Sequence, residues 1–133
     1  MSDRLDGKVS PGQARPVWVL ANDLMLGSRI RSVLETMKIP YVFLRSAEDF
    51  AGTPADLPAA MIVDLDASAL LPIEAIRKAK LFAVPVLAYG SHVDDARLAE
   101  ARNAGADAVV ARSMIATRLG DLVAKLLDGT SVS

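Results

Sequence analysis

Five short apolar runs, set along the chain between longer stretches of helical period, limit most strongly what this sequence can fold into. The runs are Val17-Trp18-Val19-Leu20-Ala21, Tyr41-Val42-Phe43-Leu44, Ala60-Met61-Ile62-Val63, Val84-Pro85-Val86-Leu87-Ala88-Tyr89 and Ala108-Val109-Val110-Ala111. Most are continuous rather than alternating, which suits strands covered on both faces, as in a parallel sheet. Pro85 fits the start of its strand but not the centre.

The intervening segments carry helical stripes. Leu26, Ile30, Val33, Leu34 and Met37 fall on one face, with Asp23 as a cap and Pro40 behind. Ser46 to Asp49 resembles a capping box for a short second helix, ended by Gly52 and Pro54. Pro72 suits the first turn of a third, which has Ile73, Ile76 and the Lys80 stem on one side. Asp94 or Asp95 starts a fourth, running through Leu98 and Ala101 to a Gly105 stop. Ser113 is expected to cap the last, where Ile115, Leu119, Leu122, Val123 and Leu126 align. Strand and helix thus alternate five times, predicting an α/β, doubly wound (βα)5 sheet with helices on both sides. The expected domain is 17–128, with loose tails at 1–16 and 129–133.

Composition narrows the function. The 133 residues include no cysteine, which excludes thiol catalysis, Cys-ligated zinc and iron–sulfur clusters. A single histidine, His92, leaves no His-rich metal site and is expected in solvent. With 15 basic and 16 acidic residues the net charge is −1, so no positive field exists to hold nucleic acid or an anionic membrane. The longest apolar run, Leu81 to Tyr89, is too short to span a bilayer, and the N-terminus lacks the apolar stretch of a secretory signal. A cytoplasmic protein is expected.

In doubly wound sheets, ligands gather beyond the carboxyl ends of the strands. Here the first strand delivers Asn22-Asp23, the third Asp64-Leu65-Asp66, the fourth Gly90-Ser91-His92 and the fifth Arg112-Ser113. Carboxylates facing each other across neighbouring loops repel unless a cation, a proton or an Arg lies between them, and Mg²⁺ suits such a carboxylate and water site. The plain alternative makes Asp23 and Asp66 helix caps or solvated loop residues, Ser91 a turn residue and Arg112 an exposed loop arginine. Trp18 is expected in the core, and Arg29, Arg31, Arg77, Lys78 and Lys80 on solvated helix faces.

This ordered set resembles the receiver domain of bacterial response regulators over nearly all of residues 17 to 127. It rests on the (βα)5 order, the acid after strand one, Val63-Asp64 closing strand three and Asn103-Ala104-Gly105-Ala106-Asp107 before strand five. The resemblance implies a flavodoxin-like three-layer sandwich with a five-stranded parallel sheet in the order 2-1-3-4-5. It implies that Asp64 is the phosphoacceptor position and that Asn22, Asp23, Asp64 and the Asp66 carbonyl form the Mg²⁺ site. Gly90 and Ser91 fall at the phosphate-binding Thr/Ser position, and Arg112 at that of the lysine. The chain departs from the pattern at Asn22, at Gly90, at Arg112, at Ser113 where a proline stands, and at Val109 where a switching aromatic stands.

These departures remove one carboxylate from the metal site, delete the reporting hydroxyl and replace a compact ammonium with a planar fork. Arg112 could then pair permanently with Asp64. The expectation is a non-enzymatic, receiver-like signalling module with a degenerate phosphorylation pocket and weak or absent Mg²⁺, acting through protein contacts. Its implied partners are a histidine kinase or a downstream signalling protein, or a second copy docked at the last strand and flanking helices, around Arg97, Arg102, Val109 and Arg118. One alternative is a working receiver, self-catalysing phosphotransfer to Asp64 with Mg²⁺. Another is a flavodoxin-like nucleotide or flavin domain, disfavoured because no G-x-G-x-x-G or P-loop is present.

Overall fold

The computed structural model describes residues 15–50, 56–91 and 95–129. In chain order the elements are β1 (Val17–Leu20), α1 (Leu24–Thr36), β2 (Tyr41–Phe43), β3 (Ala60–Asp64), α2 (Pro72–Leu81), β4 (Val86–Gly90), α3 (Asp95–Asn103), β5 (Ala108–Ala111) and α4 (Arg112–Asp128). All strand pairs are parallel, in the order β2-β1-β3-β4-β5. The tails at 1–14 and 130–133, the second helix's stop at Gly52 and Pro54, His92 and Asp94 lie outside the described residues.

Alternation along each strand divides the core into two layers. Val17, Val19, Ala60, Ile62, Leu87 and Tyr89 pack with Ile30, Leu34, Ile115, Leu119 and Leu122 of α1 and α4. Trp18, Leu20, Met61, Val63, Val86 and Ala88 pack with Ala75, Ile76, Ala79, Leu98 and Ala101 of α2 and α3. The central strands are buried on both faces, which is why their apolar runs are unbroken. Trp18 is a core residue, meeting Phe50 edge-on at 5.2 Å between ring centroids.

Three local expectations are corrected. Where a short helix is expected after β2, the described residues Ala47–Asp49 form a 3₁₀ turn, capped by the Ser46 hydroxyl accepting from the Glu48 N–H. Ser113 does not cap the last helix, because β5 passes directly into α4 and Ala111 holds the cap position without a side-chain bond. Nor are the basic side chains all free in solvent: Arg31 is exposed as expected, with its guanidinium 4.5 Å over the Phe43 ring, but Lys78 Nζ donates to the Ala47 carbonyl.

Lys80 does the most structural work of these. Its Nζ donates to Asp107 Oδ2 at 2.6 Å and to the Val84 carbonyl at 3.0 Å, while the same Oδ2 accepts from the Val86 N–H. This ties α2 to the starts of β4 and β5. Gly105 makes it possible, since its φ is +107° and a Cβ there would meet Lys80 Cγ at 2.9 Å. Gly105→Val is therefore expected to cost about 2 kcal/mol, from backbone strain and displacement of the lysine stem. Urea unfolding monitored by circular dichroism checks this; an unchanged midpoint contradicts it.

Candidate functional site

At the carboxyl ends of β1, β3 and β5 three aspartates meet one arginine. Each is delivered by a strand ending, so the topology sets their proximity.

Asp23 follows β1 in extended conformation and caps α1, its Oδ1 accepting from the Leu26 N–H at 3.0 Å. Its other oxygen, Oδ2, pairs with Arg112 Nη2. The residue thus caps α1 with one oxygen and meets Arg112 with the other. The Leu26 N–H, acting with Arg112 against partial desolvation, holds the Asp23 carboxyl below the usual aspartate range.

Asp64 is the last residue of β3 rather than the first beyond it, and is 2% exposed. Its parity with Ala60 and Ile62 turns it toward the α1/α4 layer. Its Oδ1 accepts from the Asp66 N–H at 2.9 Å and from Arg112 Nη1 at 3.1 Å. Burial nonetheless wins, pushing the Asp64 carboxyl above its ordinary value against those two donors.

Asp66 enters through its side chain. Oδ2 accepts from the Ser91 N–H at 3.0 Å and from Arg112 Nη1 at 3.2 Å, while Oδ1 accepts from Arg97 Nη1 at 3.2 Å. Arg97 also donates to the Leu65 carbonyl at 3.3 Å. Ser91 thus contributes its backbone, and Gly90 contributes space: a Cβ there would lie 3.6 Å from Asp66 Oδ1 and 3.3 Å from Leu65 Cβ. Asn22 is exposed beside the cluster.

Arg112 is not a loop residue. It opens α4, where the helix dipole disfavours a cation, so the carboxylates and not the helix hold it there. Burial works against its charge, but Asp64 and Asp23 more than offset that and hold it firmly protonated. Its Cζ lies 5.5 Å from the centroid of the Tyr89 ring. Tyr89 neighbours Asp64 in register and is wholly buried, and its Oη has no hydrogen-bond partner among the described residues. Burial, then the Asp64 charge, drive its phenol further above the ordinary range.

Asp23, Asp64, Asp66 and Arg112 were all legible as strand-end residues, whereas Arg97 and Tyr89 were not. Arg97, expected on a partner-facing surface, remains partly exposed and also reaches Asp66. Tyr89 could have been found from strand parity, which sets it beside Asp64. Among the described residues no group of three or more His, Cys, Asp or Glu is arranged to hold a metal ion.

The Asp64 shift has a measurable consequence. A carboxyl whose pKa rises on folding holds its proton more tightly in the native state, so the stability withdrawn by its ionised form returns as pH falls. Wild type is therefore expected to gain stability relative to Asp64→Asn between about pH 7 and pH 4. Asp23 acts oppositely, its contribution fading as pH falls below the ordinary aspartate value. Urea midpoints of both proteins across that range test the first effect; parallel pH profiles refute it.

No protein-family model and no curated protein matches the chain in sequence. Solved structures do match in shape. A CheY-like response regulator receiver domain protein from Methanospirillum hungatei JF-1 superposes with a TM-score of 0.74 at 15% identity, covering 88% of this chain and 96% of that one. The BeF3-activated DrrB receiver domain gives 0.72 at 18% identity, covering 87% and 99%. A response regulator from Thermotoga maritima gives 0.66 at 15% identity, covering 85% and 98%. At these identities the likeness establishes the fold: this chain has the flavodoxin-like, CheY-like α/β architecture of receiver domains.

Proposed function

We propose that the chain is a receiver-type signal-transduction module whose acidic pocket is neutralised from within by Arg112, and that it acts through protein contacts rather than by phosphorylation. The observation that carries this reading is the convergence of Asp23, Asp64 and Asp66 on one guanidinium. Phosphoryl transfer to a carboxylate needs an accessible oxygen and a cation to neutralise the moving charge. Asp64 is 2% exposed, with Oδ1 already accepting two donors. A resident Mg²⁺ would supply charge neutralisation to such a pocket, held by carboxylates and water in octahedral geometry. The donor set as folded does not fit it, because all three carboxylates are already bonded to the same guanidinium.

Gly90 carries no hydroxyl to sense a phosphoryl group, and Val109 supplies no aromatic on β5 to relay it. Both support an output that does not cycle with phosphorylation. Partners would be a kinase or downstream protein meeting β5 and its flanking helices, with Val109, Arg102 and Arg118 the candidate contacts. Among the described residues no helix is long and apolar enough to cross a membrane.

The deciding experiment is incubation with acetyl phosphate or beryllofluoride in Mg²⁺, followed by intact-mass and NMR measurement. An unchanged mass and spectrum is the expected result. A mass gain that disappears in Asp64→Asn would overturn the proposal in favour of a working receiver.

A further inference from the structure

The outer face of α2 carries apolar surface at both ends and an ordered set of charges between. Leu81, in the last turn, is 80% exposed, and Leu71, at the cap position, is 39% exposed. A single exposed leucine needs no explanation. These two stand at opposite ends of one helix, about 15 Å apart along its axis. Glu74, Arg77 and Leu81 recur at i, i+3 and i+7, an exposed stripe on the side turned away from the buried Ala75, Ile76 and Ala79. The acid lies in the first half of the helix, and the bases Arg77 and Lys78 lie in the second. Glu74 meets Lys78 at 3.5 Å across a solvated gap, and Arg77 has no hydrogen bond or ion pair among the described residues.

We infer that the outer face of α2 is a self-association surface, and that its partner is a second copy of this chain docked antiparallel. The order of residues is complementary to its own reverse. A two-fold axis passing beside Ile76 sets Leu71 of each copy against Leu81 of the other, and Glu74 of each against Arg77 and Lys78 of the other. The leucines at both ends supply the apolar burial. The acid-to-base order fixes the direction, because a parallel pairing would set Glu74 on Glu74 and Arg77 on Arg77. Three turns of helix bury less than the roughly 1,200 Å² of a stable interface, so the dimer is weak and forms at high protein concentration. The surface is distinct from β5 and α4. It names one partner for the protein contacts of the proposed function and rests on that reading for its role in signalling, whereas association itself does not depend on Asp64.

The test is dilution of the wild-type chain from millimolar to micromolar protein, followed by sedimentation equilibrium and by amide NMR shifts. Wild type is expected to pass from dimer to monomer, with concentration-dependent shifts centred on α2 and the turn before it. Leu81→Gln should weaken association by at least about tenfold, since both copies lose a leucine contact. Glu74→Arg and Arg77→Glu should each weaken it alone, because like charges then face each other across the axis. Mixed in equal amounts, these two variants should associate more tightly than either does alone, because acids again face bases. A role confined to one helix predicts no such recovery. All three positions are exposed, so the variants are expected to keep the wild-type circular dichroism.

A wild-type chain that stays monomeric at millimolar concentration would overturn the inference. So would shifts that map to β5 and α4 or to another surface, a Leu81→Gln chain that associates like wild type, or a mixture no tighter than its components. None of these outcomes bears on whether Asp64 takes a phosphoryl group, so failure here is distinguishable from failure of the proposed function.

Discussion

Replacing Arg112 with alanine is expected to lower the unfolding free energy by about 3 kcal/mol and the thermal midpoint by roughly 10–15 °C. The guanidinium is the only cation bonded to Asp64 among the described residues, and Asp64 is 2% exposed. Its loss leaves an ionised, buried carboxylate uncompensated beside two others, and breaking one side of such a pair costs more than the pair itself contributes. The carboxylates would respond by taking up protons, so the destabilisation should shrink at acid pH. Asp64→Asn in the same chain should recover part of the loss, because the uncompensated charge is then gone. Arg112→Lys should fall between the two, since a single ammonium cannot reach three carboxylates as a planar fork does. Thermal and urea unfolding of the three variants and wild type check this set. An Arg112→Ala protein as stable as wild type would contradict it.

Tyr89→Ala is expected to have an effect at least as large, about 4 kcal/mol. The ring is wholly enclosed between β4 and the α1/α4 layer, and it also supports the Arg112 guanidinium from one side. Tyr89→Phe should be neutral or stabilising by up to about 1 kcal/mol, because the hydroxyl it removes has no hydrogen-bond partner among the described residues. The contrast separates the ring from its oxygen. Large losses in both variants, measured by urea unfolding, would mean that the hydroxyl has a stabilising partner.

Much of this architecture is legible in the chain because period and burial coincide. Unbroken apolar runs predict strands covered on both faces, and the stripe from Ile115 to Leu126 is the buried face of α4. The acids at 23 and 64 and the arginine at 112 are legible because strand ends and topology bring them together whatever their rotamers. What was not legible depends on details that topology leaves free. Whether Asp66 faces the pocket or solvent is decided by the turn after β3, and Arg97 reaches it only through the angle at which α3 leaves β4. The start of α4 lies two residues before the one Ser113 suggests, because Ser113 is a good cap whereas the direct passage from β5 leaves no linker in which to use it. The Lys80–Asp107 bridge was hidden because a lysine on a helix surface usually looks solvated, and only the open approach at Gly105 brings its stem inward.

Crystallising the protein in excess MgCl2 tests the central claim most directly. The account predicts that Arg112 remains bonded to Asp23, Asp64 and Asp66, with no divalent ion among them. A hydrated Mg²⁺ held by Asp23 and Asp64, with the Arg112 side chain turned out to solvent, would contradict it.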